Sequence, residues 1–136
     1  EYQNIEKHRY IQRHSLDKFQ MNPHFPVISL QIIRGAVAAD MDGYLEEYID
    51  KILIHMWEEP KKMDDPEVIK AAFEESGLDA DKLMNQMQDP DVKAKLISNT
   101  EAAAERGVFG IPTFFVEDEM YFGKDNLWQV EEKLGE

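Results

Sequence analysis

Four short stretches of this chain carry residue types suited to chemistry. Lys124-Asp125 follows Gly123 at the start of a closing helical pattern. A helix start offers free N–H groups and a partial positive charge, which suit a carboxylate, while Asp125 suits an ammonium. The plainer reading makes Asp125 an N-cap that contributes about 1 kcal/mol to the helix. Ile111-Pro112-Thr113 puts a proline just before a short apolar run. That proline either breaks the chain there or supplies a cis bond, which costs little before Pro. In Asn22-Pro23-His24-Phe25-Pro26, two prolines hold His24 and Phe25 extended. An imidazole beside an aromatic ring suits hydrogen bonding or proton exchange with an aromatic anion. The plainer reading, favoured for His24, is a solvated loop residue, with Phe25 plugging the core. Arg34 lies among Ile32, Ile33 and Val37. It either pairs with an internal carboxylate, the commoner use of such an Arg, or binds a carboxylate from outside.

Other chemistries find little support. His8, His14, His24 and His55 form no HExxH or other close pair at metal-ligand spacing, so no metal site is expected. There is no P-loop and no GxGxxG. Cys is absent, which removes disulfides, thiolate ligands and cysteine nucleophiles from these residues and fits a cytoplasmic protein. Acidic residues outnumber basic ones 28 to 15, for a net charge of −13, which disfavours nucleic acid and anionic membranes as partners. No apolar run reaches the ~18–20 residues of a membrane span. At 136 residues and 43% hydrophobic, the chain can build one domain with a real core. It starts at Glu1 without a Met or an apolar leader, which reads as a processed chain or part of something longer.

The elements that must position these residues are well punctuated. Ile5 to Ser15 reads as the end of a surface helix, and Asn22 to Val27 as an extended loop that its prolines keep out of any ladder. Ser29 is placed to cap a helix through Ala39, and Asp42 to cap the next. Tyr44, Leu45, Tyr48, Ile49, Ile52, Leu53, Met56 and Trp57 recur at three- and four-residue spacing, the clearest amphipathic helix in the chain. Trp57 is read as core, with an apolar substrate wall as the alternative. A charged loop follows to Asp65. Asp65-Pro66 and Asp89-Pro90 pair an N-cap with Pro at the first helical position, and Asp79 opens a short helix between them. Gly77 and Gly107 stand where helices end. Met84 and Met87 are at packing spacing, and the pairs Glu46-Glu47 and Glu58-Glu59 read as solvated. Thr113–Val116 and Met120–Phe122 then form a hairpin, and a last helix carries Leu127, Val130 and Leu134.

Gly107-Val-Phe-Gly-Ile-Pro-Thr-Phe-Phe-Val, a turn, and Met120-Tyr-Phe-Gly-Lys-Asp-Asn-Leu resemble the closing half of the thioredoxin-like fold in its DsbA-type branch. With Asn22-Pro-His-Phe-Pro-Val27, Arg34-Gly-Ala36, Met56-Trp-Glu58 and Asn99-Thr-Glu101 in order, the chain is similar to the 2-hydroxychromene-2-carboxylate isomerase family, relatives of the kappa-class glutathione transferases. The resemblance implies an α/β, thioredoxin-like fold with a large helical insertion, mostly helical, with a C-terminal ββα unit and an incomplete sheet. Residues 1–28 would end the N-terminal half, 29–106 form the helical insertion and 107–136 the ββα unit. It implies glutathione as cofactor. The backbone of Ile111 before a cis Pro112 would pair with the cysteinyl part, and Lys124 and Asp125 with the γ-glutamyl end. Asn22, His24, Phe25 and Arg34 would lie on the substrate side. The family's pattern has Gly-Ser-Asp where this chain has Gly-Lys-Asp.

In the family an opening strand, helix and strand carry a Ser-Pro whose Ser handles the glutathione thiol. Of the candidates Ser15, Ser29, Ser76 and Ser98, none is followed by Pro or follows an apolar strand, so the catalytic residue is unknown here. The resemblance therefore implies part of a glutathione-dependent cis/trans isomerase of aromatic acids, inactive as this chain alone. A glutathione transferase or thiol–disulfide oxidoreductase of the same fold is the alternative within the fold, though the absence of Cys counts against the latter. A non-catalytic, self-associating helical module is the alternative outside it. The open hairpin edge makes a homodimer the expected state.

Overall fold

The computed structural model describes residues 2–135. Seven α-helices are described: α1 (Tyr2–Arg13), α2 (Leu30–Met41), α3 (Leu45–Trp57), α4 (Pro66–Glu75), α5 (Ala80–Gln86), α6 (Pro90–Glu105) and α7 (Leu127–Leu134). Strands β1 (Thr113–Val116) and β2 (Glu119–Phe122) and a 3-10 turn at Lys124–Asn126 lie between the last two helices. The chain divides into two compact units, one running to Leu96 and the other starting at Ile97. Among the described residues, no helix is long and apolar enough to cross a membrane.

The first unit is built on its N-caps. The Asp65 carboxylate accepts from the Glu67 N–H at 3.1 Å, Asp79 from Lys82 at 3.1 Å, and Asp89 from Asp91 at 2.7 Å. Each satisfies a donor that the first helical turn leaves free. The apolar stripes these helices present close one core around Tyr48, Ile52, Ile69, Phe73, Leu83 and Met87. Met63, from the charged loop, is fully buried among them. Tyr48 lies against the backbone of α2: its hydroxyl donates to the Ile32 carbonyl at 2.8 Å. A Cβ at Gly35 would sit 2.8 Å from Tyr48 Cζ and nearer still to its hydroxyl, so only glycine lets the ring lie there.

Two expected caps are corrected. Asp42 does not open α3; it ends α2, and Gly43 turns the chain with φ +83°. Its carboxylate instead accepts from Gln86 Nε2 at 3.0 Å and meets Lys82 Nζ at 2.9 Å, tying α2 to α5. Ser29 holds the N-cap position of α2, but its side chain makes no capping bond.

In the second unit, β1 and β2 pair antiparallel with Thr113 opposite Phe122 and Val116 opposite Glu119, so β2 begins one residue earlier than expected. Glu117 takes the left-handed conformation in the turn, with φ 54°. The Arg106 guanidinium stacks on the Phe115 ring, 3.5 Å from its centroid. None of the described residues from Ile97 onward is buried.

Candidate functional site

The second unit assembles four of the expected residues around one loop. The Ile111–Pro112 peptide is cis, as the resemblance implies. Three contacts fix the loop. The Thr113 hydroxyl donates to the Gly110 carbonyl at 2.6 Å, and the Gly123 N–H donates to the Pro112 carbonyl at 2.9 Å. The Phe122 ring covers Gly110 so closely that a Cβ there would lie 2.8 Å from it, and Phe109 packs on the same ring at 4.7 Å. Ile111 is left 89% exposed. Among the described residues, no hydrogen bond uses its backbone N–H or carbonyl. A main chain with both groups free can pair with one more short strand.

The Gly123–Pro112 bond brings Lys124 and Asp125 to this loop. Asp125 is not the N-cap of the closing helix. It lies inside the 3-10 turn, and Asn126 holds the cap position of α7 without a capping side-chain bond. Asn126 Nδ2 donates to the Phe122 carbonyl at 2.6 Å instead. Asp125 meets Lys124 Nζ at 2.7 Å, with its side chain 80% exposed. One ammonium and one carboxylate thus stand side by side in water next to the loop.

The other four expected residues belong to the first unit. Asn22 is 2% exposed and fully engaged: Nδ2 donates to the Met56 carbonyl at 3.2 Å and the Lys61 carbonyl at 2.9 Å, while Oδ1 accepts from the His24 N–H at 2.9 Å. It builds the loop from beneath. His24 is not extended; it occupies a turn closed by the Phe25 N–H on the Asn22 carbonyl at 3.1 Å, and its ring is exposed. Phe25 does not plug the core. It is 57% exposed, precedes a second cis proline at Pro26, and leans on Trp57 with centroids 6.3 Å apart.

Trp57 also stacks on Phe19 at 5.8 Å. These two rings line a cleft of about 530 Å³ with Leu16, Leu53, Lys18 and Glu58. Trp57 is therefore both packed against the core and part of an apolar wall. Phe19 carries no local signal of this role, because its partner Trp57 lies at the far end of α3, beyond α2 and two loops. Arg34, on α2, forms no ion pair among the described residues, and its Nε is buried without a hydrogen bond. The internal carboxylate expected for it is absent among those residues, which leaves a desolvated donor.

His55 has no second histidine at ligand spacing in the sequence, and its neighbour Ser76 comes from a distant segment. It is 4% exposed on α3, and its Nε2 lies 2.8 Å from Ser76 Oγ at the end of α4. Burial first, and then the Lys61 ammonium, push the imidazole below the ordinary histidine range; Glu75, Glu59 and the Ala72 backbone oppose them. A Ser–His pair at this distance is the start of a nucleophilic site, but Nδ1 is buried with no hydrogen-bond partner. Among the described residues no carboxylate accepts a hydrogen bond from Nδ1, so the pair lacks the orienting acid of a triad.

The family model for the DSBA-like thioredoxin domain matches residues 10–135. The chain is similar to human "Glutathione S-transferase kappa 1", 28% identical over 142 residues that cover 91% of this chain and 62% of that protein. It is similar to "2-hydroxychromene-2-carboxylate isomerase" of Pseudomonas putida, 30% identical over 88 residues that cover 65% of this chain and 43% of that one. A solved selenomethionine structure of 2-hydroxychromene-2-carboxylate isomerase matches with a TM-score of 0.82 at 24% identity, covering 98% of this chain and 64% of that chain, and shares its fold. The chain thus spans about three-fifths or less of the length of these two curated relatives.

Proposed function

The chain belongs to the DSBA-like thioredoxin domain family, and from that premise we propose that it is part of a glutathione-dependent cis/trans isomerase acting on aromatic acids of the 2-hydroxychromene-2-carboxylate kind. The observation that carries this reading is the cis Ile111–Pro112 loop, with its exposed, unengaged backbone stitched to the Lys124–Asp125 turn. A tripeptide thiol fits that arrangement. Its cysteinyl main chain pairs with Ile111 as an added strand. Its γ-glutamyl end, with an ammonium and a carboxylate on one carbon, faces Asp125 and Lys124. When bound, glutathione supplies a thiol that adds reversibly to a conjugated acid and leaves again.

The residues of this chain bind and orient. Arg34, whose Nε is buried and without a hydrogen bond, offers its guanidinium to a substrate carboxylate. Asn22 holds the turn that presents His24 and Phe25. Against a net charge of −13, an anionic substrate depends on such local donors. The reading places the protein in the cytoplasm as a homodimer, and sedimentation across a concentration series tests the latter. A glutathione transferase is the second reading, favoured by the similarity to the human kappa-class enzyme across 91% of this chain.

Glutathione titrated into the 15N-labelled chain is expected to shift the amides of Ile111, Gly123, Lys124 and Asp125 saturably. No shift at millimolar glutathione would overturn the assignment. Arg34→Met is expected to weaken binding of an aromatic carboxylate by about tenfold, the worth of one charge-assisted hydrogen bond. No serine here is followed by Pro, so the 136-residue chain assayed by itself is expected to give no isomerisation above a buffer blank.

A further inference from the structure

Two helix ends meet at a cluster of ligating groups outside the proposed glutathione site. His55 lies in the last turn of α3, Glu59 follows just past its end, and Glu75 is the last residue of α4. A ring nitrogen of His55 and one carboxylate oxygen from each glutamate lie within 4.8 Å of one another. The Glu59 N–H donates to the Ile54 carbonyl at 2.8 Å, so the backbone that carries this carboxylate is fixed. His55 Nε2 is held by Ser76 Oγ at 2.8 Å, while Nδ1 is buried and makes no hydrogen bond. A buried imidazole with one nitrogen anchored by a hydroxyl and the other unsatisfied is built like a metal-ligating histidine, whose second nitrogen is normally fixed by a neighbour.

We propose that His55, Glu59 and Glu75 form a binding site for a divalent transition-metal ion of the Zn2+ class, which clamps the C-terminal ends of α3 and α4 together. One imidazole and two carboxylates suit Zn2+, Mn2+ or Co2+ better than Mg2+ or Ca2+, which take oxygen ligands. Both glutamates are exposed, so water completes the coordination. The two helix ends add partial negative charge from their last carbonyls, which favours a cation. The Lys61 ammonium pairs with Glu75 and competes for the place the metal would take.

The test uses the untagged chain, stripped of metal and titrated with ZnCl2 by calorimetry, with MgCl2 as control. One Zn2+ per chain is expected, and no comparable Mg2+ binding. Glu59→Gln and Glu75→Gln remove exposed carboxylates and leave the core intact. Each is expected to lower Zn2+ affinity by about tenfold or more, at least the loss caused by removing a group that only orients a ligand. Lys61→Met removes the competing cation and is expected to raise the affinity, a gain that a folding defect does not produce. Imidazole NMR is expected to show Zn2+ moving the ring signals of His55 and not those of His8, His14 or His24. Absence of stoichiometric binding, binding unchanged by both glutamine variants, or shifts confined to the other three histidines would overturn the proposal.

Discussion

The two units solve the problem of burial in opposite ways. The first seals Tyr48, Phe73, Met63, Ile69, Leu83 and Met87 from water with α2 to α5, the start of α6 and three aspartate caps. The second, from Ile97, buries none of its described residues and shows Phe109, Ile111, Trp128 and Leu134 more than half exposed. Yet the second carries the more specific local geometry: the cis loop, the covered Gly110 and the Lys124–Asp125 pair. Definite backbone geometry does not require a sealed core. Hydrogen bonds such as Gly123 to Pro112 and single ring contacts such as Phe122 over Gly110 can fix a loop by themselves. Stability resides mainly in one unit, and the geometry proposed for glutathione in the other.

That contrast can be broken by substitution. Phe73→Ala empties a fully buried site in the first unit and is expected to cost about 3–5 kcal/mol in urea unfolding. Gly35→Ala drives a methyl into the Tyr48 ring and is expected to cost about 1–3 kcal/mol. Both far exceed the expectation for the second unit. There Phe109→Ala and Ile111→Ala, at 70% and 89% exposure, are each expected to stay within about 0.5 kcal/mol. A loss at Ile111 as large as that at Phe73 would show that the second unit has a core of its own in solution.

Acid sharpens the picture within the first unit. The hydrogen bond from Gln86, and then Lys82, hold the Asp42 carboxyl below 3.8, its ordinary value. A folded-state pKa depressed in this way contributes stability above the unfolded value and loses it as pH falls through the folded one. The stability gap between the parent chain and Asp42→Asn is therefore expected to stay constant near neutrality and to shrink as pH falls from about one unit above 3.8 and on through the lower folded value. A gap that closes well above this range would mean the Gln86 and Lys82 contacts do not form in solution.

Local signals were legible in the sequence, and distant pairings were not. Asp65-Pro66, Asp79 and Asp89-Pro90 each open a helix as read, because a cap acts on N–H groups two or three residues away. The hairpin after Pro112 is legible from a local pattern, and the cis bond at Pro112 is what the family resemblance implies, carried by residues that lie within sixteen positions of one another. Asp42 failed because its partners, Lys82 and Gln86, are some forty residues away and outcompete the local cap. Met63 sits among Lys61, Lys62, Asp64 and Asp65, so its burial could not be seen in the local pattern. The surroundings of Phe25, Trp57 and His55 depend on how loops and helix ends meet, which local spacing does not encode.

Asn22 carries a consequence of a different kind, that of chemical ageing. Its carboxamide points two N–H bonds at two carbonyl oxygens, so conversion to Asp would keep the shape and reverse the polarity, facing a carboxylate with two acceptors. Asparagines usually lose their amide when the next peptide nitrogen gives up its proton and closes a ring on the side chain. The next residue here is Pro23, which has no such proton. The same proline that shapes the turn therefore shields the one side chain whose slow hydrolysis would unlock it.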